Sequence, residues 1–339
     1  MRVIDWQPGS VSLRGLVPIR LVRGSELTLK CAWAKPSVSL LSCPMYEWAF
    51  TNGEAVYTSL SPLNYYATRF EVEKLCASIF HISRCGSTAI ANGLRSIPRT
   101  IVLSEAGIIS TLLLRPEAGG IELATDRKSQ LLYGILGAIL KENPGNAIVI
   151  KHSSFVSNDI AYALDILPAS HLWCFATRNP AEVIRSFDRS PSGWLSTAAG
   201  RMRAIEILGL SDASTTSIPT DELLANLLNR YMTSALHSAS SKTIYLDYEF
   251  FSAQSVSEII AFFLGVDLDS EGTKLLEDEL KSYSKSTTSR AFKADARIPS
   301  ATTGFASLDT TYNSYFESMT LRGARKAASG TSNLFDGSL

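Results

Sequence analysis

From Leu75 onward, short apolar runs alternate with stretches whose apolar positions recur at helical spacing. The runs are Leu75–Ile82, Thr100–Ser104, Ala147–Ile150, His171–Thr177 and Thr243–Tyr248. Helical patterns fall between them over Ala89–Arg95, 107–114, 124–141, about 195–209 and 221–239. A last amphipathic pattern, Val256–Leu264, is stopped by Gly265. Apolar runs this short, separated by helices, predict an α/β chain with a mostly parallel sheet flanked by helices. With 339 residues and 45% apolar content, the chain is long enough to bury a sizeable core.

Residues 1–74 differ in texture. Leu27, Leu29, Cys31 and Trp33 alternate with Glu26, Thr28, Lys30 and Ala32, which predicts a strand with one buried face. Gly9, Gly15, Pro18, Gly24 and Pro36 punctuate it with turns. The expected organisation is a small β-rich segment over 1–74, a main domain over 75–325 and a frayed Gly/Ser-rich tail over 326–339. The aromatic cluster Tyr46, Trp48, Phe50, Tyr57, Tyr65 and Tyr66 either packs on the main domain or lines a substrate pocket.

The charge balance excludes a broad nucleic-acid surface, because 32 basic residues are matched by 32 acidic ones. Five cysteines with no C-x-x-C spacing fit a reducing compartment. The N-terminus lacks an apolar signal region, and no apolar run approaches membrane-spanning length. A cytoplasmic protein without a membrane partner is therefore expected.

The first strand runs into Ser83-Arg84-Cys85-Gly86-Ser87-Thr88 and then a helix. Backbone N–H groups at a helix start have no partner inside the helix and converge on an anion. Gly86 allows close approach, Arg84 adds a fixed charge, and Ser87 and Thr88 add hydroxyls. The lysine of a Walker loop is missing, since Ser87 follows Gly86 directly. Later strand ends are polar as well: Glu105, then Lys151 and His152, then Arg178. Ligands of such sheets sit beyond the carboxyl ends of the strands, so this edge is the expected site of an anionic ligand. No pair of carboxylates with metal-ligand spacing stands near the loop, and no metal is expected. Arg178 leads into a well-marked helix start, with Asn179 as cap, Pro180 in first position and Glu182 placed for a capping box. Glu105 has an alternative role, capping the helix that starts at Gly107. Cys85 is either a reactive thiol or a small packing residue.

The order of these motifs resembles the sulfotransferases that use 3′-phosphoadenosine-5′-phosphosulfate (PAPS). Their loop signature, P-[KR]-S-G-[ST]-T, is met here by Ser83-Arg84-Cys85-Gly86-Ser87-Thr88, with serine for proline and cysteine for serine. Their second signature, a strand ending in R-[ND]-P before a helix with a serine on its second turn, is met by Arg178-Asn179-Pro180 and Ser186. A looser third one is met by Tyr248-Glu249-Phe250-Phe251 through Phe262-Phe263-Leu264-Gly265. The arginine in the loop is similar to the bacterial, carbohydrate and tyrosylprotein members rather than the cytosolic ones.

The resemblance implies that Ser83 to Thr88 bind the 5′-phosphosulfate, and that Arg178 and Ser186 bind the 3′-phosphate. A late loop around Lys285 would close over the nucleotide. It implies a base at the second or third strand end. Glu105 is favoured because the arginine-type loop travels with glutamate; His152 is the alternative. Lys151, with Arg84, would then neutralise charge on the leaving oxygen. The implied reaction is metal-independent transfer of a sulfuryl group to a hydroxyl or amine of a small-molecule acceptor. A P-loop kinase of a small metabolite and a non-catalytic nucleotide-binding protein of the same fold are the alternatives.

Overall fold

The computed structural model describes residues 2–7, 13–23, 28–40, 43–50, 54–189, 195, 197–210, 218–281 and 303–328, with backbone only at 2 and 318–328. The N-terminal strands β1 (Arg2–Val3), β2 (Val17–Arg23), β3 (Leu29–Ala34) and β4 (Val56–Thr58) form one sheet in the order β1-β4-β3-β2. β1 runs parallel to β4, and the other pairs are antiparallel. The predicted alternation does produce β3, but not with one buried face. Cys31, Ala32, Trp33 and Ala34 are all buried, because β3 is an interior strand and the small Ala32 and Ala34 admit close cover on its second face. Helix α1 (Ser61–Ala67) follows.

The main sheet contains β5 (Leu75–His81), β6 (Thr100–Ser104), β7 (Ala147–Lys151), β8 (Leu172–Thr177) and β9 (Thr243–Asp247). Its order is β6-β7-β5-β8-β9, and every pair is parallel. Both faces are covered, so β6 and β9 are buried at every residue. The flanking helices are α2 (Ser87–Arg95), α3 (Gly107–Leu113), α4 (Thr125–Glu142), α5 (Ile160–Ile166), α6 (Pro180–Arg189), α7 (Ala198–Leu208), α8 (Thr220–His237), α9 (Ala253–Leu264), α10 (Ser270–Lys281) and α11 (Ala306–Ala328). Buried apolar side chains from both sheets, Trp33 and Phe80 among them, belong to one apolar cluster. Among the described residues, no helix is long and apolar enough to cross a membrane.

β5 is the topological switch. Its crossover through α2 leads toward β6 on one side, whereas β8 continues through α6 toward β9 on the other. The crevice between the ends of β5 and β8 is where such a sheet opens to a ligand. α11 closes the β9 side. Its buried Tyr315 donates to the Phe175 carbonyl at 3.3 Å, and Tyr312 donates to Asp247 Oδ2 at 3.1 Å.

The N-terminal sheet is fixed to the main domain partly through backbone contact between α1 and α4. A Cβ at Gly134 would stand 2.3 Å from the Leu63 carbonyl oxygen. Backbone cannot yield as a flexible side chain would, so Gly134→Ala is expected to cost about 1–3 kcal/mol by overpacking. A denaturant midpoint unchanged from wild type would contradict this close approach.

Candidate active site

The loop after β5 departs from ordinary backbone geometry. Ser83 and Arg84 have φ of 69° and 52°, and Gly86 has φ of 80°. Left-handed non-glycine residues cost of order 1–3 kcal/mol each and persist only where the surroundings enforce them. Here Ser83 N–H donates to His81 Nδ1 at 3.0 Å, and the Ser83 hydroxyl donates to Ser154 Oγ at 2.9 Å. Gly86 caps α2 with no side-chain acceptor. A Cβ there would also stand 3.0 Å from the Tyr248 ring. Glycine is thus required both for its conformation and for its space. Ser87 and Thr88 are largely buried at the first turn of α2. Cys85 is buried, and desolvation pushes its thiol above the ordinary range, which favours the packing role over the reactive one.

Parallel register brings the next two strand ends together. Ser104 pairs with Lys151, so Glu105 lies beside it, and Glu105 N–H donates to the Lys151 carbonyl at 2.7 Å. The Lys151 ammonium, fully buried, forms an ion pair with Glu105 Oε1, whose side chain keeps 31% exposure. Glu105 has φ of 53°. It does not cap α3. That place belongs to Glu47, whose Oε1 accepts from Gly107 N–H at 3.0 Å. The N-terminal segment therefore reaches the mouth of the site through Glu47. Of the aromatic cluster, Tyr46 donates to the Pro18 carbonyl and packs on Phe50, and Tyr65 and Tyr66 pack on Trp6. Trp48 alone of these six is 45% exposed.

His152 lies elsewhere. It is buried, its Nε2 lies 2.7 Å from Ser78 Oγ, and its ring packs on Phe80 at 4.5 Å between centroids. His171 Nε2 reaches the same hydroxyl at 2.7 Å. Burial holds both imidazoles in the neutral form. His152 is pushed well below the usual histidine range, and His171 down to about 3. Of the two strand-end histidines it is His81, not His152, that meets Glu105. Its Nε2 stands 3.9 Å from Glu105 Oε1 and 2.9 Å from the His152 carbonyl. With Nδ1 accepting from Ser83, Nε2 carries the hydrogen. His81 stands within the apolar run Leu75–Ile82, and its position two residues before Ser83 is the one signal in the sequence that could mark it.

On the far side of the loop, Arg178 is 5% exposed, and its Nη1 donates to the Arg84 carbonyl at 3.4 Å. Its guanidinium lies 4.7 Å from the Tyr248 ring centroid. Asn179 Oδ1 accepts from Ala181 N–H at 2.9 Å, as a cap should. Glu182, at the predicted box position, turns one carboxylate oxygen to Arg178: its Oε2 accepts from Arg178 Nε at 2.7 Å, which pairs a buried guanidinium. Ser186 lies one turn further along α6, on the face of Glu182. Arg84 lies 5.3 Å from the Phe187 ring centroid. Lys285 lies outside the described residues.

No family model matches the chain, and no curated protein matches it. The solved structures to which it is similar include two sulfotransferase domains. One is the sulfotransferase domain from the curacin biosynthetic pathway, at 16% identity and a TM-score of 0.39, covering 58% of this chain and 76% of that one. The other is the sulfotransferase domain from the Synechococcus PCC 7002 olefin synthase, at 14% identity and a TM-score of 0.40, covering 71% of this chain and 94% of that one. Likeness at this level carries no functional reading.

The buried histidines give the fold a defined acid limit. His171 folds with a pKa of about 3 against about 6.5 unfolded, so below pH 6.5 the unfolded chain binds the extra proton and stability falls as pH falls. The loss is about 2 kcal/mol between pH 7 and pH 5 for His171, and His152 acts in the same direction. Asp247 opposes it, since burial pushes its carboxyl up to about 6 and folding there favours the protonated form. Comparing stability against pH for wild type and His171→Gln isolates the histidine. The variant should lose about 2 kcal/mol less over that range, and superimposable curves would contradict the buried neutral state.

Proposed function

We propose that the chain transfers the sulfuryl group of PAPS to a hydroxyl or amine of a small-molecule acceptor. One observation carries this reading. The loop 83–88 is linked through His81 to a partly exposed carboxylate paired to a buried lysine at one end, and touches a buried arginine at the other. This fits a ligand with anionic groups at two ends and an acceptor that must lose a proton between them.

The residues present suit PAPS. The first turn of α2, with its N–H groups and glycine cap, suits a 5′-phosphosulfate, and Arg84 borders it. Arg178 and Ser186 suit a 3′-phosphate. When bound, PAPS supplies a sulfuryl group on a phosphate leaving group. Glu105 takes the acceptor's proton as the acceptor oxygen or nitrogen bonds to sulfur and the sulfur–oxygen bond to phosphate breaks. Lys151 holds the Glu105 carboxylate in place from below and adds positive charge at the edge where negative charge develops. His81, in its Nε2–H form, faces the same carboxylate oxygen. The strained backbone at Ser83, Arg84 and Glu105 fixes these groups before any ligand arrives.

Two measurements test this. Calorimetry should detect binding of adenosine 3′,5′-bisphosphate without magnesium, weakened by Arg178→Ala; no binding, or binding only of Mg-ATP, would redirect the reading to a kinase. With an acceptor in hand, Glu105→Gln should lower turnover by roughly 10²–10⁴-fold while nucleotide affinity holds. A near-normal rate would remove Glu105 as the base.

A further inference from the structure

Arg178 is held on three sides, and the side that fixes its orientation is Glu182. The face of the guanidinium rests on Tyr248, which stacks on Phe251 with ring planes 18° apart. Nη1 touches the loop at the Arg84 carbonyl. The Nε edge is taken by Glu182 Oε2 at 2.7 Å, in a pair whose side chains are 6% and 10% exposed. A carboxylate on the Nε edge repels any anion approaching there and so favours approach of a phosphate from the Nη side, where Nη1 meets the loop at the Arg84 carbonyl. A long arginine side chain would otherwise sample many rotamers and lose that freedom on binding.

We infer that Glu182 is a positioning residue: it presents the Nη edge of Arg178 to the second phosphate of the nucleotide and so sets selectivity for a 3′-phosphorylated ligand. This rests on the reading under Proposed function. The carboxylate offers no contact to the nucleotide in this role and acts only through Arg178. Two features of Glu182 separate orientation from charge. A glutamine keeps an oxygen at the same reach without the charge. An aspartate keeps the charge but falls one methylene short of Nε.

The test is calorimetric titration of wild type, Glu182→Gln, Glu182→Asp and Glu182→Ala with adenosine 3′,5′-bisphosphate and with adenosine 5′-monophosphate. Wild type should prefer the bisphosphate. Glu182→Asp and Glu182→Ala should lose roughly 10- to 100-fold toward the bisphosphate, the usual loss when an orienting partner is removed, and little toward the monophosphate. Glu182→Gln should stay near wild type. Should the alanine variant fail to fold, the glutamine and aspartate pair still decides. Equal losses for both nucleotides, or an aspartate variant that keeps full preference, would overturn the positioning role. Tighter bisphosphate binding by both neutral variants would show charge balance instead and also overturn it. A wild type without preference for the bisphosphate would overturn the 3′-phosphate reading itself, and this inference with it.

Discussion

The position of β5 between β7 and β8 determines where every charged group of the candidate site stands. Parallel pairing puts Ile79 beside Lys151 and His81 beside Ala176, so β7 ends two residues short of the end of β5 and β8 one residue beyond it. The same register carried outward sets Ser104 against Lys151 and Thr177 against Asp247. Glu105 and Arg178, each the first residue past its strand, are thereby placed on either side of the loop that follows β5. A slip of one residue in any of these pairings would turn the end residue to the other face of the sheet.

Within that frame the site is organised around two buried cations, each with a carboxylate, and the two pairs differ in a way that divides their roles. Lys151 is fully buried, and its partner Glu105 keeps 31% exposure. Arg178 and Glu182 are both buried. The first pair offers an accessible oxygen that can exchange a proton with a ligand. The second has no such opening and serves to hold a guanidinium still. Neither pair is evidence of added stability, since desolvation offsets most of the attraction between buried ions. Their value lies in fixed geometry at the edge of the sheet.

Much of this was legible in the residues because the main sheet depends on local patterns. Apolar runs bounded by glycine and polar residues marked all five strands, and Asn179-Pro180 marked the start of α6. α10 buries only Leu276, so no apolar stripe announced it. The contacts that define the site were less accessible. Glu182 sits at the capping-box position, and only the burial of Arg178 shows why one of its carboxylate oxygens turns back to the guanidinium. His81 and His152 look alike as strand-end histidines. Pleat alternation and the turn at Ser83 send one to Glu105 and the other under Phe80. The capping of α3 by Glu47 spans 60 residues, and no local pattern encodes it.

The most direct test of the account is a crystal structure with adenosine 3′,5′-bisphosphate bound. The 5′-phosphate should lie on the loop from Arg84 to Thr88, and the 3′-phosphate against the Nη edge of Arg178 and the Ser186 hydroxyl. The open space beyond the 5′-phosphate should face Glu105. A nucleotide bound with its phosphates away from both Arg84 and Arg178, or with Glu105 on the far side from the 5′-phosphate, would contradict it.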